Sequence, residues 1–390
     1  MARNIAVGID IGTYQVKTVI AEGVRDNGIF AAHILGTGIA ESRGMRHGCI
    51  INQSDIVQSI ASSIAQASKT ADMRVRSAYI SIGGLGLGGI ISQGSTIITR
   101  ADSEISALDV EKAIEICESE IPQNLSVNKK IIHNIPLQYK IDGKAVLGQP
   151  VGMKGMKLEV RCLFITCIER HLSDIIDAVE QAGIEVLDVM ASPLAAGLVT
   201  LSKTQKIAGC VLANIGAETV SIVVYENNIP ISLEVFPIGS TDITNDIALG
   251  LKISLEEAES IKLGGQTTVQ FPRRKLEEIV EARLSDMFEL IEAHLKKIGR
   301  NGLLPAGIVI TGGGSGIGSL TELAKETLKL PSRLGTLYSP QELKGIKDST
   351  WSVAYGLCIF GFSSDSDRPI SQNFSRFIKK SLGWFKQFLP

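Results

Sequence analysis

The sequence predicts a two-lobed α/β protein built by duplication, with an inserted subdomain and a terminal helix that lies on a membrane surface. Three observations predict it. Residues 8–22 (GIDIGTYQVKTVIAE) and 212–226 (LANIGAETVSIVVYE) share one plan: an apolar strand, an acidic or amide residue, Ile-Gly, a short polar turn and a second β-branched strand. They lie 204 residues apart, with Asp10 over Asn214 and Gly12 over Gly216. Two tight hairpins in register at about half-chain spacing suggest two equivalent lobes facing each other. Second, a self-contained pattern of strands and one helix sits between a glycine-rich run at 83–89 and residue 165. Third, Phe374, Phe377, Ile378, Leu382, Trp384, Phe385, Phe388 and Leu389 fall within an arc of roughly 160° when wound as a helix. Arg376, Lys379, Lys380 and Lys386 take the other side, with no acid. That suits a helix lying in an anionic lipid surface.

The elements follow in chain order. Residues 55–70 have helical periodicity, started by Asn52 or Ser54. Residues 77–82 read as a strand, followed by Gly83, Gly84, Gly86, Gly88 and Gly89. Residues 108–119 read as a helix with Ser106 as N-cap and Asp109 at N3. Strand-like runs cover 130–141 and 158–165. Residues 170–181 form a helix closed by Gly183, and 254–264 a helix with Ser254 and Glu257 as its capping box. A long amphipathic helix spans 276–298, a buried strand 306–311 and a short helix 321–328. Residues 363–373 (SSDSDRPISQN) are polar and unpatterned, which predicts a linker.

Composition bounds the function. The 390 residues are 44% hydrophobic and 21% charged, a globular balance with room for more than one domain. The tail adds four positive charges to a chain of net −2, which leaves the body six units negative. An acidic body argues against general nucleic-acid binding. Six scattered cysteines without a CxxC pair read as reduced thiols. The N-terminal apolar run is too short for a signal peptide, and no stretch reaches the ~18 apolar residues of a span. The expectation is a cytosolic protein whose last helix lies on the membrane.

Three constellations carry chemistry. In Asp10-Ile11-Gly12-Thr13 with Lys17, a glycine at the hairpin tip lets backbone N–H groups approach a phosphate, and Thr13 adds a hydroxyl. Asp10 could hold Mg²⁺ through water, and Lys17 could offer a point charge. A plain hairpin turn with a surface lysine fits the same residues. Thr311-Gly312-Gly313-Gly314-Ser315-Gly316-Ile317 is sharper: a buried strand, bare backbone and then a helix start suit a packed adenine or a phosphate at a helix N-terminus. Its spacing is neither a P-loop nor a dinucleotide-binding fingerprint. Glu259 and Lys262 share a helix face and suit a ribose diol, although a solvated ion pair at this spacing is common.

These parts in this order resemble the actin/Hsp70/sugar-kinase superfamily, and within it the FtsA family of bacterial cell-division proteins. The resemblance covers essentially the whole chain, with HGCIINQSDI, IHNIPLQYKIDG, PVGMKGMKLEV, GSTDITNDIA, AESIKLGG and AGIVITGGG as supporting stretches. Residues 44–55 and 353–361 resemble the superfamily's two connecting segments. The resemblance implies a two-lobed actin-like (duplicated ribonuclease-H-like) fold with an inserted FtsA-type subdomain and a C-terminal amphipathic helix. It implies a first-lobe core of 1–82, 166–206 and 347–362, with an inserted subdomain over 83–165. The second lobe would have a core of 207–250 and 300–346 and a small subdomain over 251–299. A linker over 363–373 and a membrane helix over 374–390 complete it.

It also implies ATP with Mg²⁺ between the lobes. Gly12, Thr13, Tyr14 and Lys17 would face the phosphates from one side, with Asp10 as the metal-side carboxylate. Asn214, Gly216, Ala217 and Glu218 would face them from the other. Gly239 and Ser240 would lie near the nucleotide, Glu259 and Lys262 at the ribose, and Gly312, Gly313, Gly314 and Ile317 around adenine and the α-phosphate. The implied role is to self-assemble like actin and to anchor FtsZ polymers to the cytoplasmic face of the membrane at the division site. The implied partners are the FtsZ C-terminal tail at Arg283, Lys296, Lys297 and Arg300, anionic lipids at the tail, and later division proteins at residues 83–165. Those four cations could equally serve the helix macrodipole. One position departs from the pattern: hydrolysing relatives start the second phosphate loop with Asp, and here it is Asn214, which cannot act as a base. ATP binding with slow or absent hydrolysis is expected. A sugar- or acid-kinase-like enzyme of the same fold, or another actin-like scaffold, is the alternative.

Overall fold

A computed structural model describes residues 4–26, 29–265, 271–338, 346 and 348–365. The tail residues 374–390, with Phe374, Phe377, Ile378, Lys379, Lys380, Trp384, Phe385 and Phe388, lie outside the described residues.

The first lobe opens with β1 (Ile5–Ile11), β2 (Gln15–Asp26) and β3 (Ile29–Glu41). A small ribbon of β4 (Met45–Arg46) and β5 (Cys49–Ile50) leads into α1 (Gln53–Ala71). Asn52 caps α1 by accepting the Asp55 N–H. β6 (Ser77–Ile82) follows. The chain then leaves for the inserted subdomain: β7 (Gly88–Ile97), α2 (Ala107–Ser119), α3 (Gln123–Ser126), β8 (Lys129–Ile141), β9 (Lys144–Val146) and β10 (Lys157–Ile168). Its sheet runs β7-β10-β8-β9, and α2 closes one face over Phe164, Cys162 and Val160. Ser106 and Asp109 form the full capping box that starts α2. The chain returns through α4 (Glu169–Gln181), β11 (Glu185–Ala191), α5 (Ser192–Thr200) and α6 (Lys203–Ala208).

The second lobe repeats the first. β12 (Cys210–Ile215), β13 (Val220–Glu226) and β14 (Ile229–Phe236) precede α7 (Ser240–Leu251), α8 (Leu255–Lys262) and α9 (Arg273–Lys297). β15 (Ile308–Thr311), α10 (Leu320–Leu328) and β16 (Ser332–Leu334) complete it. The first sheet is ordered β3-β2-β1-β6-β11 and the second β14-β13-β12-β15-β16. Each starts with two antiparallel pairs and ends with two parallel ones. The duplication read from two hairpins therefore extends to all five strands.

α11 (Ser352–Asp365) packs on β1, β2 and β6 and against α5, and α5 in turn packs on β12 and β13, so the two helices lie between the lobes. Gly356 permits this, because a β-carbon there would sit 2.0 Å from the Ala195 carbonyl oxygen. Gly8 does the same for α11 on β1, where a β-carbon would meet the Ala354 oxygen at 2.1 Å. Strand alternation divides the second sheet. Leu212, Val223 and Tyr225 join the core around α5 and α11, while Val211, Ala213, Ile222 and Val224 face α7, α9 and α10.

Two elements differ from the sequence reading. The polar run from 363 predicts a linker, but α11 continues to Asp365; Phe360 and Phe362 are buried, and the Ser363 hydroxyl folds back onto the Ile359 and Phe360 carbonyls. After β15 the chain makes a 3-10 turn over Gly313–Gly316 rather than a helix, and α10 waits until Leu320. Four glycines in seven residues cost too much backbone entropy for an α-helical start.

Candidate functional site: a cleft between the lobes

Ligands of α/β sheets bind beyond the carboxyl ends of parallel strands. Here both sheets aim those ends into one cleft of about 340 Å³. β1 delivers Asp10 and Ile11, β6 Ser81, and β11 leads into Ser192; β12 delivers Asn214, and β15 leads into Gly312 and Gly313.

The two hairpin tips are built alike. Gly12 donates its N–H to the Gln15 carbonyl at 3.2 Å, and Gly216 donates to Thr219 at 2.8 Å. A β-carbon at Gly12 would meet that oxygen at 2.9 Å, and one at Gly216 would meet its counterpart at 3.0 Å, so both turns leave backbone facing the cleft. Thr13 accepts the Gly48 N–H at 3.0 Å, which leaves its own proton free to donate.

Asp10 and Lys17 are cross-strand partners in the β1–β2 register. Burial pushes the Asp10 carboxyl above its ordinary range, and Lys17 and the Ser81 hydroxyl pull it partly back. Ser81 donates to Asp10 Oδ1 at 2.9 Å. Burial lowers the Lys17 pKa, opposed by Asp10 and Asp348. The Lys17 ammonium donates to the Thr350 carbonyl at 2.9 Å and lies 5.4 Å from the Trp351 ring centroid. It lines the cleft while tying the first hairpin to the segment before α11.

Across the cleft, Lys262 reaches Glu259 at 2.7 Å, the Ser240 carbonyl at 3.1 Å and the Thr244 hydroxyl at 2.9 Å. The ammonium is thus buried in a fixed cage, while Glu259, also bonded by Thr244, keeps partial exposure. The cage pins α8 to the start of α7. Only the first half of the box expected on α8 forms: Ser254 accepts the Glu257 N–H at 3.2 Å.

Of the residues singled out in the sequence, the cleft brings together Asp10, Gly12, Thr13, Tyr14, Lys17, Asn214, Gly216, Ala217, Ser240, Glu259, Lys262, Gly312 and Gly313. Four fall behind its lining. Gly239 and Gly314 allow close packing beneath it, against the Ala217 carbonyl and the Ile215 side chain. Ile317 packs on the second-lobe core. Glu218 turns to the other lobe, where its carboxylate accepts the His47 N–H and its carbonyl lies 3.2 Å from His47 Nδ1. His47 leads directly to Gly48 and Gly84, whose backbones touch, so one loop joins both hairpins to the root of the inserted subdomain. Gly48, within the HGCIINQSDI stretch, also lines the cleft, as do Ser81, Ser192, Thr350 and Ser352, which carry no motif of their own. Ser81 alone left a signal, as a polar residue near the end of a buried strand.

Asp10 and Glu259 are the two acids of the lining. Among the described residues no three His, Cys, Asp or Glu side chains gather as a metal site. None of the described helices is long and apolar enough to cross a membrane. Arg283 is held by Asp246 at 2.7 Å and Asp286 at 3.2 Å, Lys296 by Glu292 at 2.9 Å, and Arg300 by Glu226 at 2.7 Å. Lys297 is exposed beside them.

Two equivalent five-stranded lobes, crossed by two helices and closing on a glycine-lined polar cleft, define an actin-like protein. Solved structures share the fold. The PilM-PilN type IV pilus biogenesis complex superposes with a TM-score of 0.68 at 18% identity, over 92% of this chain and 98% of the other. MreB5 of Spiroplasma citri bound to ADP superposes at 0.52 and 11%, over 92% and 96%. Sequence narrows the class. Residues 211–356 match the model of cell division protein FtsA, and residues 88–166 that of the SHS2 domain inserted in FtsA. Cell division protein FtsA of Pseudomonas aeruginosa is 30% identical over 386 residues, spanning 93% of this chain and 91% of that one. The Bacillus subtilis protein is 30% identical over 379 residues, spanning 92% and 83%. The chain belongs to the FtsA family of cell-division proteins.

Proposed function

We propose that this protein binds ATP with Mg²⁺ between its lobes, self-assembles like actin and tethers FtsZ polymers to the cytoplasmic face of the membrane. The observation that carries the reading is the cleft itself, where two glycine hairpin tips and a third glycine turn converge from both lobes. The Gly12–Thr13 and Gly216–Ala217 turns would hold the phosphates. Asp10 would hold Mg²⁺ through water, Glu259 the ribose, and Gly312 with Gly313 the adenine side. The related fold of Spiroplasma citri MreB5, solved with ADP and again with AMPPNP, supports a nucleotide as the ligand.

Hydrolysis is slow in this reading. Asn214 supplies an amide where a base would be needed, and Glu218 is committed to His47 rather than to the cleft. ATP then acts as a clamp that sets lobe closure and so favours assembly. Each tail contributes a weak lipid contact, ~1 kcal/mol per cation near an anionic surface, and assembly makes the array bind by avidity. The FtsZ tail would compete with Glu292 and Glu226 for Lys296 and Arg300. Later division proteins would dock on the inserted subdomain. Titration with a fluorescent ATP analogue, paired with single-turnover kinetics, tests the cleft. Micromolar binding with turnover far below ~1 s⁻¹ is expected. No binding, or turnover at that rate or above, would overturn it.

A further inference from the structure

Away from the nucleotide cleft, the inserted subdomain and the second lobe meet at a short seam and then diverge. β14 of the second lobe lies over the face of the inserted sheet, against β7, β10 and β8. They touch at Gly89, where a β-carbon would stand 3.3 Å from both the backbone nitrogen and the oxygen of Leu233. Beyond that contact a crevice of about 460 Å³ opens between them. Its walls are aliphatic: Ile91 and Leu137 on the inserted side, Ile229 and Ile231 on β14, and Ile298 past the end of α9. Ile91 is 42% exposed although it belongs to a strand.

Its charges have one sign in excess. Arg161, Lys297 and Arg300 line the crevice; among the described residues its one acid is Glu226, which Arg300 already holds at 2.7 Å. Arg161 and Lys297 have no acid partner among the described residues. An excess of two positive charges stands out in a body six units negative. Aliphatic walls and two cations without an acid partner suit an extended acidic segment laid between the sheet face and β14. An extended chain turns successive side chains to opposite sides, so one set can meet the aliphatic walls and the other the cations.

We propose that the crevice binds an extended segment of a partner protein in which aliphatic and acidic residues alternate. One set of side chains would pack on Ile91, Ile229 and Ile231, and the other would meet Arg161 and Lys297. The chain's own tail is a poor occupant, because its four cations would face these two. Nucleic acid is a poor occupant as well, since the lining offers no aromatic ring for a base. The site shares Lys297 and Arg300 with the FtsZ-tail region above and rests on that reading only for a partner's being a protein. Arg161 belongs to this crevice alone and Lys296 to that region alone, so the two ideas can fail separately.

The test is fluorescence anisotropy of the full chain with a labelled peptide of alternating valine and glutamate, beside the same peptide with lysine for glutamate. The glutamate peptide should bind and the lysine peptide should not. Arg161→Glu and Ile91→Glu should each weaken binding about tenfold or more, a loss of about 1.4 kcal/mol. Both should leave fluorescent-ATP affinity unchanged, and Lys296→Glu should leave peptide affinity unchanged. The double change Arg161→Glu with Lys297→Glu should transfer binding to the lysine peptide. Unchanged affinity in Arg161→Glu, or equal binding of both peptides, would overturn the site. Loss on Lys296→Glu alone would place the peptide along α9, ending this proposal but not the tethering reading. A chain that ignores FtsZ yet still takes the probe through Arg161 would do the reverse.

Discussion

Gly312 and Gly313 are neighbours that the fold uses in opposite ways, and replacing each in turn separates architecture from ligand binding. Gly312 has φ +92° and ψ 174°, a conformation essentially reserved for glycine. A β-carbon there would stand 2.4 Å from both Asn214 Oδ1 and the Ile215 carbonyl oxygen. Gly312→Ala therefore carries backbone strain of about 1–3 kcal/mol and must also displace the start of the second hairpin. Gly313 lines the cleft, and a β-carbon there meets nothing within 4 Å. Gly313→Ala should change stability by less than about 0.5 kcal/mol. Gly313→Phe should likewise fold, but its ring would fill ligand space and cut ATP affinity about tenfold or more, about 1.4 kcal/mol. Urea unfolding and fluorescent-ATP titration of the three variants read both effects. If Gly312→Ala unfolds at the wild-type urea concentration, or Gly313→Phe binds nucleotide normally, the cleft has been misassigned.

Three further outcomes concern single residues. Gly356→Ala would put a methyl group 2.0 Å from the Ala195 oxygen and force α5 and α11 apart, so unfolding should occur about 1–3 kcal/mol earlier, with ATP affinity lost in step. His133 is buried, its pKa is pushed down to about 4 by that burial, and its Nε2 accepts the Ala191 N–H at 3.2 Å. Its folded pKa lies below the unfolded value of about 6.5, so its contribution is whole above that pH and is lost as pH falls toward 4. Between pH 7 and 5 this loss is about 2 kcal/mol, and a stability profile flat over that range would contradict it. Trp384→Glu should release the protein from anionic liposomes with ATP binding intact; persistent flotation would locate the anchor elsewhere.

Legibility followed the reach of local rules. The two hairpins were readable because one turn plan appears twice at a fixed spacing, and α2 because Ser106 and Asp109 announce its start. β3 left little signal. Its Gly36 and Gly38 lower strand propensity, and they are there so that α1 can press its backbone against the sheet; a β-carbon on Gly38 would meet the Ser63 oxygen at 1.9 Å. α11 reads as apolar all round because neighbours surround it, so it shows no helical stripe. In the cleft, residues on the hairpin and glycine turns could be named in advance because backbone exposure has a sequence signature. Ser192, Thr350 and Ser352 could not, since strand order alone carries them there. Glu218 was readable as polar but not as turned away: its partner, His47, lies 171 residues distant.

The central claim is that this body is a nucleotide-dependent tether between FtsZ and lipid. Co-flotation of FtsZ polymers with anionic liposomes tests it most directly, comparing the full chain with one ending at Asp367, each with and without ATP. FtsZ should float with the full chain, more strongly with ATP, and should stay at the bottom with the shortened chain. Flotation that survives loss of residues 368–390, or that ignores ATP, would contradict the account.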